Sequence, residues 1–441
     1  MATMMKRTLL AALLATLAAL PSAAQEAGRI HRTEVIPYDT RQRADARTRE
    51  GVEGYIAFAP RTLVASDGAS IVGQEIEIPY AWTDGLTYLH LEHIGSAYSL
   101  WVNDMQVAEV DDCATPAEFA ISDYVRQGTN SFRLLLRPSA TPAIDPAPAK
   151  RTPFLNCYLY NQNKRSIRDF EIALVPDSAG RDFGVLKLAV VAQNGFNYDE
   201  QVEVGYDIYS PQGKLLEFNI REVTIPGRST DTVRFSPYIY HTFDNKWEAG
   251  GAKNPPLYRV MLFTRRNGTY REYMPLKIGF GRTEWVDGKL MRLGREIRME
   301  RARYNAAADR KTTQAEIRAL KAQGKNTLCP DYPQPEWFYE LCDEAGMYVV
   351  DCAAVSAPER RDDRRTGGTP SNDPALADEY LERARAMYYR SRNHTCVVAY
   401  ALGAPSGNGY CMYKAYEWLK SVEKYRPVVY VDADGEWNSD L

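Results

Sequence analysis

The chain has 441 residues, of which 45% are hydrophobic and 25% are charged, and its formal net charge is −3. This length accommodates about two to four domains with hydrophobic cores of their own. The slightly acidic balance argues against nucleic acid or an anionic membrane surface as a partner.

Residues 1–24 have the three parts of a secretory signal peptide. A basic start precedes an apolar run over residues 9–20, and the small residues Ser22 and Ala24 then fit a signal-peptidase site. The alternative is a short membrane anchor, but the run is too short to span a bilayer, and no other stretch is long enough. We therefore expect a cleaved leader, no transmembrane span, and a secreted, periplasmic or cell-surface protein.

Two β-rich regions follow an N-terminal extension over residues 25–54. Residues 55–178 contain short alternating strands such as YLHLEHI and FRLLLRP, separated by turn residues, which predicts a jelly-roll sandwich. Its proline-rich stretch 139–153 is typical of a surface loop. Residues 179–283 continue with strands at the spacing of an immunoglobulin-like sandwich.

Residues 284–441 change to an alternation of helices and strands. Four amphipathic segments each precede a short apolar run, which indicates a parallel sheet with right-handed crossovers. The predicted helices cover residues 312–324, 335–346, 373–393 and 410–425. The sequence therefore predicts a multidomain β plus α/β protein.

The seven cysteines form no CxxC pair and no Cys/His metal spacing, so we expect neither a metal nor a cofactor. Most of them are interpreted as packing residues, because buried free cysteine is common in apolar strands. Cys113 and Cys157 are a candidate disulfide pair.

Residues 98–138 resemble the sugar-binding jelly roll of glycoside hydrolase family 2, which includes β-galactosidases, β-glucuronidases and β-mannosidases. The family's motifs W-x-N-G, P-F-x-x-D-(I/V)-T and G-x-N-x-(L/V) are matched here at Trp101, Asn103, Phe119, Ile121, Gly128 and Asn130. Residues 164–174 and 246–260 resemble the family's R-D-V-x-L and P-x-L-Y segments, so the resemblance covers most of the chain.

The α/β region is similar to the family's catalytic barrel. WFYELCDEAGMYVVDCAA (337–354) and RSRNHTCVVAYALGAPSGNG (390–409) resemble the segments around its third and fourth strands. The resemblance implies a (β/α) barrel, of which about five strands precede Leu441. The family's glutamate nucleophile lies on strand seven, so a partial barrel with two open edges is expected.

The catalytic motifs depart from the family's pattern. Where the family has an asparagine for the sugar 2-hydroxyl and a glutamate general acid/base, this chain has Ala404 and Pro405. Asp351 is kept, but Cys352 and Ala354 replace the glutamate and asparagine that follow. Because glycoside hydrolysis needs two carboxyl groups, we expect no catalytic residue at the family's positions.

Three other carboxylates are predicted near the carboxyl ends of strands, which is the functional edge of such sheets: Asp331, Asp351 and Asp432. They are alternative catalytic candidates. The competing interpretation is structural, with Asp351 bonded to nearby backbone and Asp331 starting a turn. His394 is interpreted as a packing residue, and the charged run 359–365 as a solvated loop or a contact with a partner.

Aromatic side chains of the jelly roll are candidates for stacking on sugar rings, namely Trp82, Tyr98 and Trp101. The leading hypothesis is a non-catalytic subunit that binds a glycan, a protein partner or both, with self-association through the open barrel edges as one mode. The runner-up is a β-galactosidase-like hydrolase of O-glycosyl bonds with displaced carboxylates.

Overall fold

The computed structural model describes residues 29–441 except 35, 50, 67–68, 113, 139–143, 146–153, 155, 176–183, 252 and 308. The predicted signal peptide, and Cys113 of the candidate disulfide, lie outside the described residues. No helix in the described part has the length and apolar character needed to cross a membrane.

Two antiparallel sheets form the first sandwich, one in the order β1-β9-β4-β7 and one in the order β2-β3-β8-β5-β6. Because successive side chains of a strand point to opposite faces, every second residue enters the core between the sheets. Leu89, Leu100 and Phe132 are examples, and none of them has exposed surface. The strands are β1 (Tyr55–Ala57), β2 (Arg61–Ser66), β3 (Ala69–Ile78), β4 (Gly85–Leu91), β5 (Ala97–Val102), β6 (Met105–Val110), β7 (Ala117–Ala120), β8 (Gly128–Arg137) and β9 (Tyr158–Asn163).

A second sandwich pairs the sheet β10-β11-β14 with the sheet β13-β12-β15-β16. Its strands are β10 (Arg165–Val175), β11 (Val185–Asn194), β12 (Glu200–Tyr209), β13 (Leu215–Ile225), β14 (Ser229–Phe235), β15 (Tyr258–Arg266) and β16 (Thr269–Ile278). The structure differs here from the predicted boundary after residue 178. Strand β10 pairs with β11 and buries Ile167 and Phe170 in this second core, so the second sandwich begins at Arg165.

The last region is a five-stranded parallel sheet in the order β20-β21-β22-β23-β24, preceded by a small three-stranded sheet. The small sheet contains β17 (Thr283–Val286), β18 (Lys289–Arg292) and β19 (Arg295–Glu296). The parallel strands are β20 (Arg301–Arg303), β21 (Thr327–Cys329), β22 (Tyr348–Cys352), β23 (Val397–Ala401) and β24 (Val428–Val429). Sequential strand order with helical crossovers is the topology of part of a (β/α) barrel, which confirms the predicted fold class.

Four helices connect the parallel strands, at α2 (Arg310–Ala322), α3 (Glu336–Ala345), α4 (Ala377–Ser391) and α5 (Tyr410–Val422). The N-cap of α2 is Asp309, whose carboxylate accepts the Thr312 amide at 2.8 Å. Helix α3 ends at Gly346 in the left-handed conformation, where a residue without Cβ is unstrained. These end signals place each helix within a few residues of its predicted position.

The N-terminal extension and the first sandwich are bound tightly to the parallel-sheet region. A short helix, α1 (Arg41–Ala46), lies in the extension. The Glu92 carboxylate, at the end of β4, forms a buried ion pair with Arg390 of α4. The side-chain amide of Asn393 donates to the Thr33 hydroxyl at 2.8 Å, so the extension also contacts the turn between α4 and β23. These contacts fix the orientation of the parallel sheet relative to the sandwiches.

Candidate functional site

Ala404 and Pro405 lie in the loop that follows β23, as the sequence predicted. The Ala404 amide donates to the carbonyl of Val355 at 2.8 Å, and the Ala404 carbonyl accepts the Ser406 hydroxyl at 2.7 Å. Pro405 is exposed and offers no group that can donate or accept a proton. Proton transfer at this loop would therefore have to come from a neighbouring strand end.

Asp351 lies within β22 with no exposed surface. Its carboxylate accepts the Tyr339 hydroxyl at 2.8 Å and the Cys352 amide at 3.1 Å. Burial raises the pKa of Asp351 to about 6, against the hydrogen bonds that favour its ionised form. A pKa in this range suits a general acid, but the carboxyl group is enclosed by the protein.

Asp331 lies two residues beyond β21. Its side chain is held by Arg303 of β20 and by Asn305, which follows β20. Its carboxylate pairs with Arg303 at 2.7 Å through one oxygen and accepts the Asn305 amide at 2.8 Å through the other. The Asp331 main-chain amide in turn donates to Asn305 at 2.9 Å. Asp331 thus closes a ring of contacts between the loops that follow β20 and β21.

Asp432 lies in a single 3₁₀ turn after β24 and is 7% exposed. One carboxylate oxygen pairs with Arg361 at 2.6 Å, and the other accepts the Gly407 amide at 2.7 Å. Both oxygens therefore serve the packing of loops. The three candidate carboxylates lie at or near the carboxyl ends of three different strands, and each has partners within the chain.

The segment 355–372 packs directly on the loop that carries Ala404 and Pro405. The hydroxyls of Thr369 and Ser371 both donate to the carbonyl of Ser406, at 2.8 and 2.9 Å. A Cβ on Gly407 would lie 2.5 Å from the carbonyl oxygen of Arg361, so only glycine fits this approach, and its φ of +74° is one that glycine tolerates. The charged run 359–365, predicted to be solvated, is partly bound here, because Arg361 and Arg364 pair with Asp432 and Glu436.

Two of the three aromatic candidates for sugar stacking lie in the core of the first sandwich. Trp82 is 4% exposed and donates its indole N–H to the carbonyl of Glu53 at 2.8 Å, and Tyr98 is 1% exposed. Neither side chain presents a free ring face. Trp101 of β5 is half-buried, and Tyr80, in the 3₁₀ turn that follows β3, is 75% exposed. The aromatic surface of this sandwich therefore lies at positions other than Trp82 and Tyr98.

Among the residues that the structure describes, two groups of side chains could approach a metal ion, and both are engaged in internal contacts. Asp343, His394 and Cys396 have their ligand atoms within 4.8 Å of one another, but His394 Nδ1 is 2.8 Å from one Asp343 oxygen and the Cys396 amide donates to the other at 2.7 Å. Although burial alone would lower it, the pKa of His394 is raised well above its usual value by Glu336 and Asp343. A protonated imidazole is not a metal ligand.

Glu34, His90 and Glu92 form the second group. The Arg390 guanidinium contacts both carboxylates, at 3.5 Å for Glu34 and in a direct hydrogen bond for Glu92. Burial by itself raises the pKa of Glu92, but the positive charge of Arg390 outweighs burial and lowers this pKa to about 2. The cation of this group is therefore the arginine, which sequence reasoning missed because its partners lie far apart in the chain.

Two cavities border the amino end of β23, opposite the edge that carries Ala404. The first, of about 540 Å³, lies between the extension, α3 and β16, and is bordered by Glu34, Arg47, Trp337 and His394. The second, of about 280 Å³, lies between the second sandwich and the start of β23. Neither cavity was apparent from the sequence, since their walls come from segments distant in the chain.

Comparisons with known proteins agree with this architecture. Residues 298–440 match the family model for the TIM barrel domain of glycosyl hydrolases family 2, and residues 19–138 match that for the family's sugar binding domain. The chain is 24% identical over 383 residues to a β-galactosidase of Psychromonas ingrahamii, covering 84% of this chain and 36% of that protein. It is 28% identical over 362 residues to a β-galactosidase of Pectobacterium atrosepticum, covering 78% of this chain and 34% of that protein. The chain thus spans about a third of the length of these curated relatives.

Solved structures of similar fold include Bacteroides uniformis β-glucuronidase, with a TM-score of 0.68 and 16% identity over 82% of this chain and 46% of that one. A putative β-galactosidase from Bacteroides fragilis has a TM-score of 0.67 and 16% identity, over 84% of this chain and 56% of that one. These likenesses establish a shared fold.

Proposed function

The chain belongs to glycosyl hydrolase family 2, and from this premise we propose that it binds a carbohydrate or a protein partner without cleaving glycosidic bonds. The observation that carries the proposal is the pair Ala404–Pro405 at the end of β23, where the family's acid/base motif would supply a carboxyl group. Loss of a general acid or base costs roughly 10²–10⁴-fold in rate. The alternative, a hydrolase with displaced carboxylates, needs another carboxyl group to take this role.

The candidate replacements are poorly arranged for that role. Asp351 is fully buried, and Asp331 and Asp432 each form an ion pair with an arginine. A retaining or inverting glycosidase needs two carboxyl groups about 5–9.5 Å apart across the sugar, with access to it. Because the segment 355–372 also packs on the Ala404 loop, a sugar would have to displace protein contacts to reach this edge of the sheet.

Carbohydrate binding by the first sandwich is supported by the match to the family's sugar binding domain over residues 19–138. The exposed Tyr80 and half-buried Trp101 are aromatic side chains with surface available for stacking on a sugar ring. We therefore place the glycan, where one is bound, on this sandwich.

A protein partner or a second copy would meet the parallel sheet at its edges. Strand β24 is capped by the chain itself, since the Asp440 amide donates to Val428 at 2.8 Å and the Ser439 hydroxyl accepts the Tyr430 amide at 3.0 Å. Among the described residues, strand β20 pairs only with β21, and Arg301 and Arg303 of β20 are exposed. We propose β20 as the edge for self-association or docking, with the arginines limiting unspecific pairing.

The experiment that separates the two functions measures turnover of aryl β-galactosides, β-glucuronides and β-mannosides. We expect no turnover above background in the wild type, and the same result for Asp331→Asn and Asp351→Asn. A glycan array should at the same time give a signal that decreases in Tyr80→Ala, while light scattering reports the mass in solution. Turnover that disappears in either aspartate variant would contradict the proposal and establish the displaced-carboxylate enzyme.

We also propose export from the cytoplasm, on the basis of the leader-like residues 1–24. Amino-terminal sequencing of the protein purified from its natural host should show a mature chain that begins near Gln25. An intact Met1 in the purified protein would contradict export by a cleaved leader.

A further inference from the structure

Strand β13 is a long and mostly exposed edge of the second sandwich. It runs over the 11 residues Leu215–Ile225, at the end of the sheet β13-β12-β15-β16. One side of β13 pairs with β12 from end to end, and on its other side no strand among the described residues pairs with it. The main-chain N–H and C=O groups of that side are therefore open to a further strand.

Two apolar side chains of β13 lie on the outer face of the sheet, away from the core. Phe218 and Ile220 stand opposite Asp207 and Gly205 of β12, which alternate with the core residues of that strand. Phe218 is 65% exposed, and Ile220 is half-buried. A long edge with exposed apolar side chains favours pairing with another chain unless charges block it.

The charges on the other face of β13 do not block pairing with a second copy. Glu217 and Arg221 stand opposite Ile208 and Val204 of β12, on the face that turns toward the core. Within the described part of the chain neither forms an ion pair, and the Arg221 guanidinium donates to the carbonyl of Arg234 at 2.7 Å. Because the two charges have opposite signs, an antiparallel strand of the same sequence can pair each with the other.

One antiparallel register satisfies both charges at once. A two-fold axis at Asn219 sets Glu217 of each copy opposite Arg221 of the other, since Asn219 lies midway between them. The same register sets Phe218 opposite Ile220 on the outer face. A shift by one residue toward the carboxyl end instead sets Glu217 opposite Glu222, and like charges in direct opposition destabilise a strand pair.

Strand β13 is accessible to a second copy because the rest of the chain is attached at the opposite edge of the sheet. That edge is β16, where Tyr273 pairs with Tyr38 of the extension and Lys277 forms an ion pair with Glu344 of α3 at 2.8 Å. Strands β12 and β15 separate β16 from β13. A second copy can therefore reach β13 without displacing the contacts between the regions.

We propose that two copies of this chain associate through antiparallel pairing of their β13 strands, centred on Asn219 and with a Glu217–Arg221 pair on either side of the axis. The sheets that contain β13 then join into one continuous sheet across the two copies. A single strand pair buries little surface, so we expect a dissociation constant in the micromolar range. The contact is separate from β20 and does not depend on the function proposed for the chain.

Sedimentation equilibrium of the purified protein, at concentrations up to about 100 µM, tests the proposal. We expect a monomer–dimer equilibrium in the wild type. Glu217→Arg and Arg221→Glu each create two like-charge pairs across the axis, and each should weaken association by at least about tenfold. An equimolar mixture of the two variants should dimerise again, because every charge at the contact then meets one of opposite sign.

Three further variants provide the controls and locate the axis. Lys311→Glu, at an exposed position of α2 without an ion pair in the described residues, should associate as the wild type does. Asn219→Cys should form a disulfide-linked dimer with oxidised glutathione, because side chains in direct opposition have Cβ atoms about 5 Å apart. Thr224→Cys, exposed near the end of the same strand, should stay unlinked. A wild type that is monomeric throughout, a dimer that persists in both charge variants, or a mixture that stays monomeric would overturn the proposal.

Discussion

The amide of Gly407 donates a hydrogen bond of 2.7 Å to the carboxylate of Asp432, which joins the loop after β23 to the turn after β24. The same carboxylate pairs with Arg361, so one side chain holds three segments that meet at the carboxyl edge of the parallel sheet. At this edge, where a barrel enzyme keeps its catalytic groups, the structure uses a carboxylate as a cross-link.

Replacing Asp432 by alanine should therefore destabilise the protein. The buried amide of Gly407 would lose its acceptor, and we expect a loss of about 2 kcal/mol in the free energy of unfolding. Urea denaturation followed by tryptophan fluorescence measures this change. Asp362→Ala is the control, because the Asp362 side chain is fully exposed and lies 3.9 Å from the same Arg361. Equal stability of the two variants would show that the cross-link is unimportant.

The buried ion pair between Glu92 and Arg390 should be essential for the docking of the first sandwich on α4. Glu92→Gln leaves Arg390 buried beside Glu34 alone, and breaking a pair of this kind costs about 3–5 kcal/mol. The double variant Glu92→Leu with Arg390→Met should recover part of the loss, because the arginine charge is removed together with Glu92 and Glu34 keeps Arg49 at 3.7 Å. Thermal unfolding of the single and double variants tests this expectation.

An exposed ion pair provides the comparison for Glu92 and Arg390. Lys414 and Glu417 pair at 2.9 Å on the surface of α5, where water screens the charges. Lys414→Ala should leave the melting temperature almost unchanged. If the double variant at residues 92 and 390 is no more stable than Glu92→Gln, the loss comes from packing and not from the unpaired charge.

The sequence predicted the class and order of the folded regions well, because hydrophobic periodicity is a local signal. It placed Asp331, Asp351 and Asp432 at or near strand ends, and the structure agrees with those positions. Their partners could not be predicted, since Arg361 precedes Asp432 by 71 residues and only the folded chain brings them together.

Burial of individual side chains was the other limit of sequence reasoning. Alternation along a strand shows that one face is buried, but it does not show which face, so Tyr98 was a candidate for sugar binding although it lies in the core. Arg292 of β18 is also buried, at 4% exposed, and nothing in the sequence indicated this, because an arginine in a short hairpin is usually solvated. The same reason explains why the sequence did not single out the buried carboxyl group of Glu272.

Glu272 of β16 should make the stability of the protein fall as pH rises through the mildly acidic range. It is 3% exposed, and its carboxyl group accepts the Ile167 amide at 2.5 Å and the Gln162 amide at 3.3 Å. Burial raises the pKa of Glu272 from 4.5 to about 7, against these hydrogen bonds. Since the folded state keeps a proton that the unfolded state releases, stability falls by about 3 kcal/mol between pH 4.5 and 7 and is constant above.

The variant Glu272→Gln isolates this contribution, because an amide keeps an oxygen for Ile167 and never ionises. Relative to the wild type, it should gain stability between pH 5 and 8 in urea denaturation. Glu222→Gln, at an exposed position of β13, should show the same pH dependence as the wild type. A difference between Glu272→Gln and the wild type that does not change with pH would exclude ionisation of Glu272 as the cause.

His394 should stabilise the protein most at low pH, as a charged link between α3 and β23. Its two ring nitrogens lie 3.0 Å from Glu336 and 2.8 Å from Asp343, and 11% of the side chain is exposed. Burial opposes protonation, but the two carboxylates raise the pKa of His394 well above 6.5. The stabilisation is therefore complete below pH 6.5, and it is lost progressively as pH rises from there through the pKa of the folded state.

We expect His394→Asn to be less stable than the wild type at pH 6, with a smaller difference at pH 8.5. The measurement is the free energy of unfolding of both proteins in urea at the two pH values. His241→Asn is the matched control, because His241 lies in a loop and is exposed. If His394→Asn loses the same free energy of unfolding at both pH values, the ring packs as a neutral group. The prediction that a charged His394 links Glu336 and Asp343 would then be wrong.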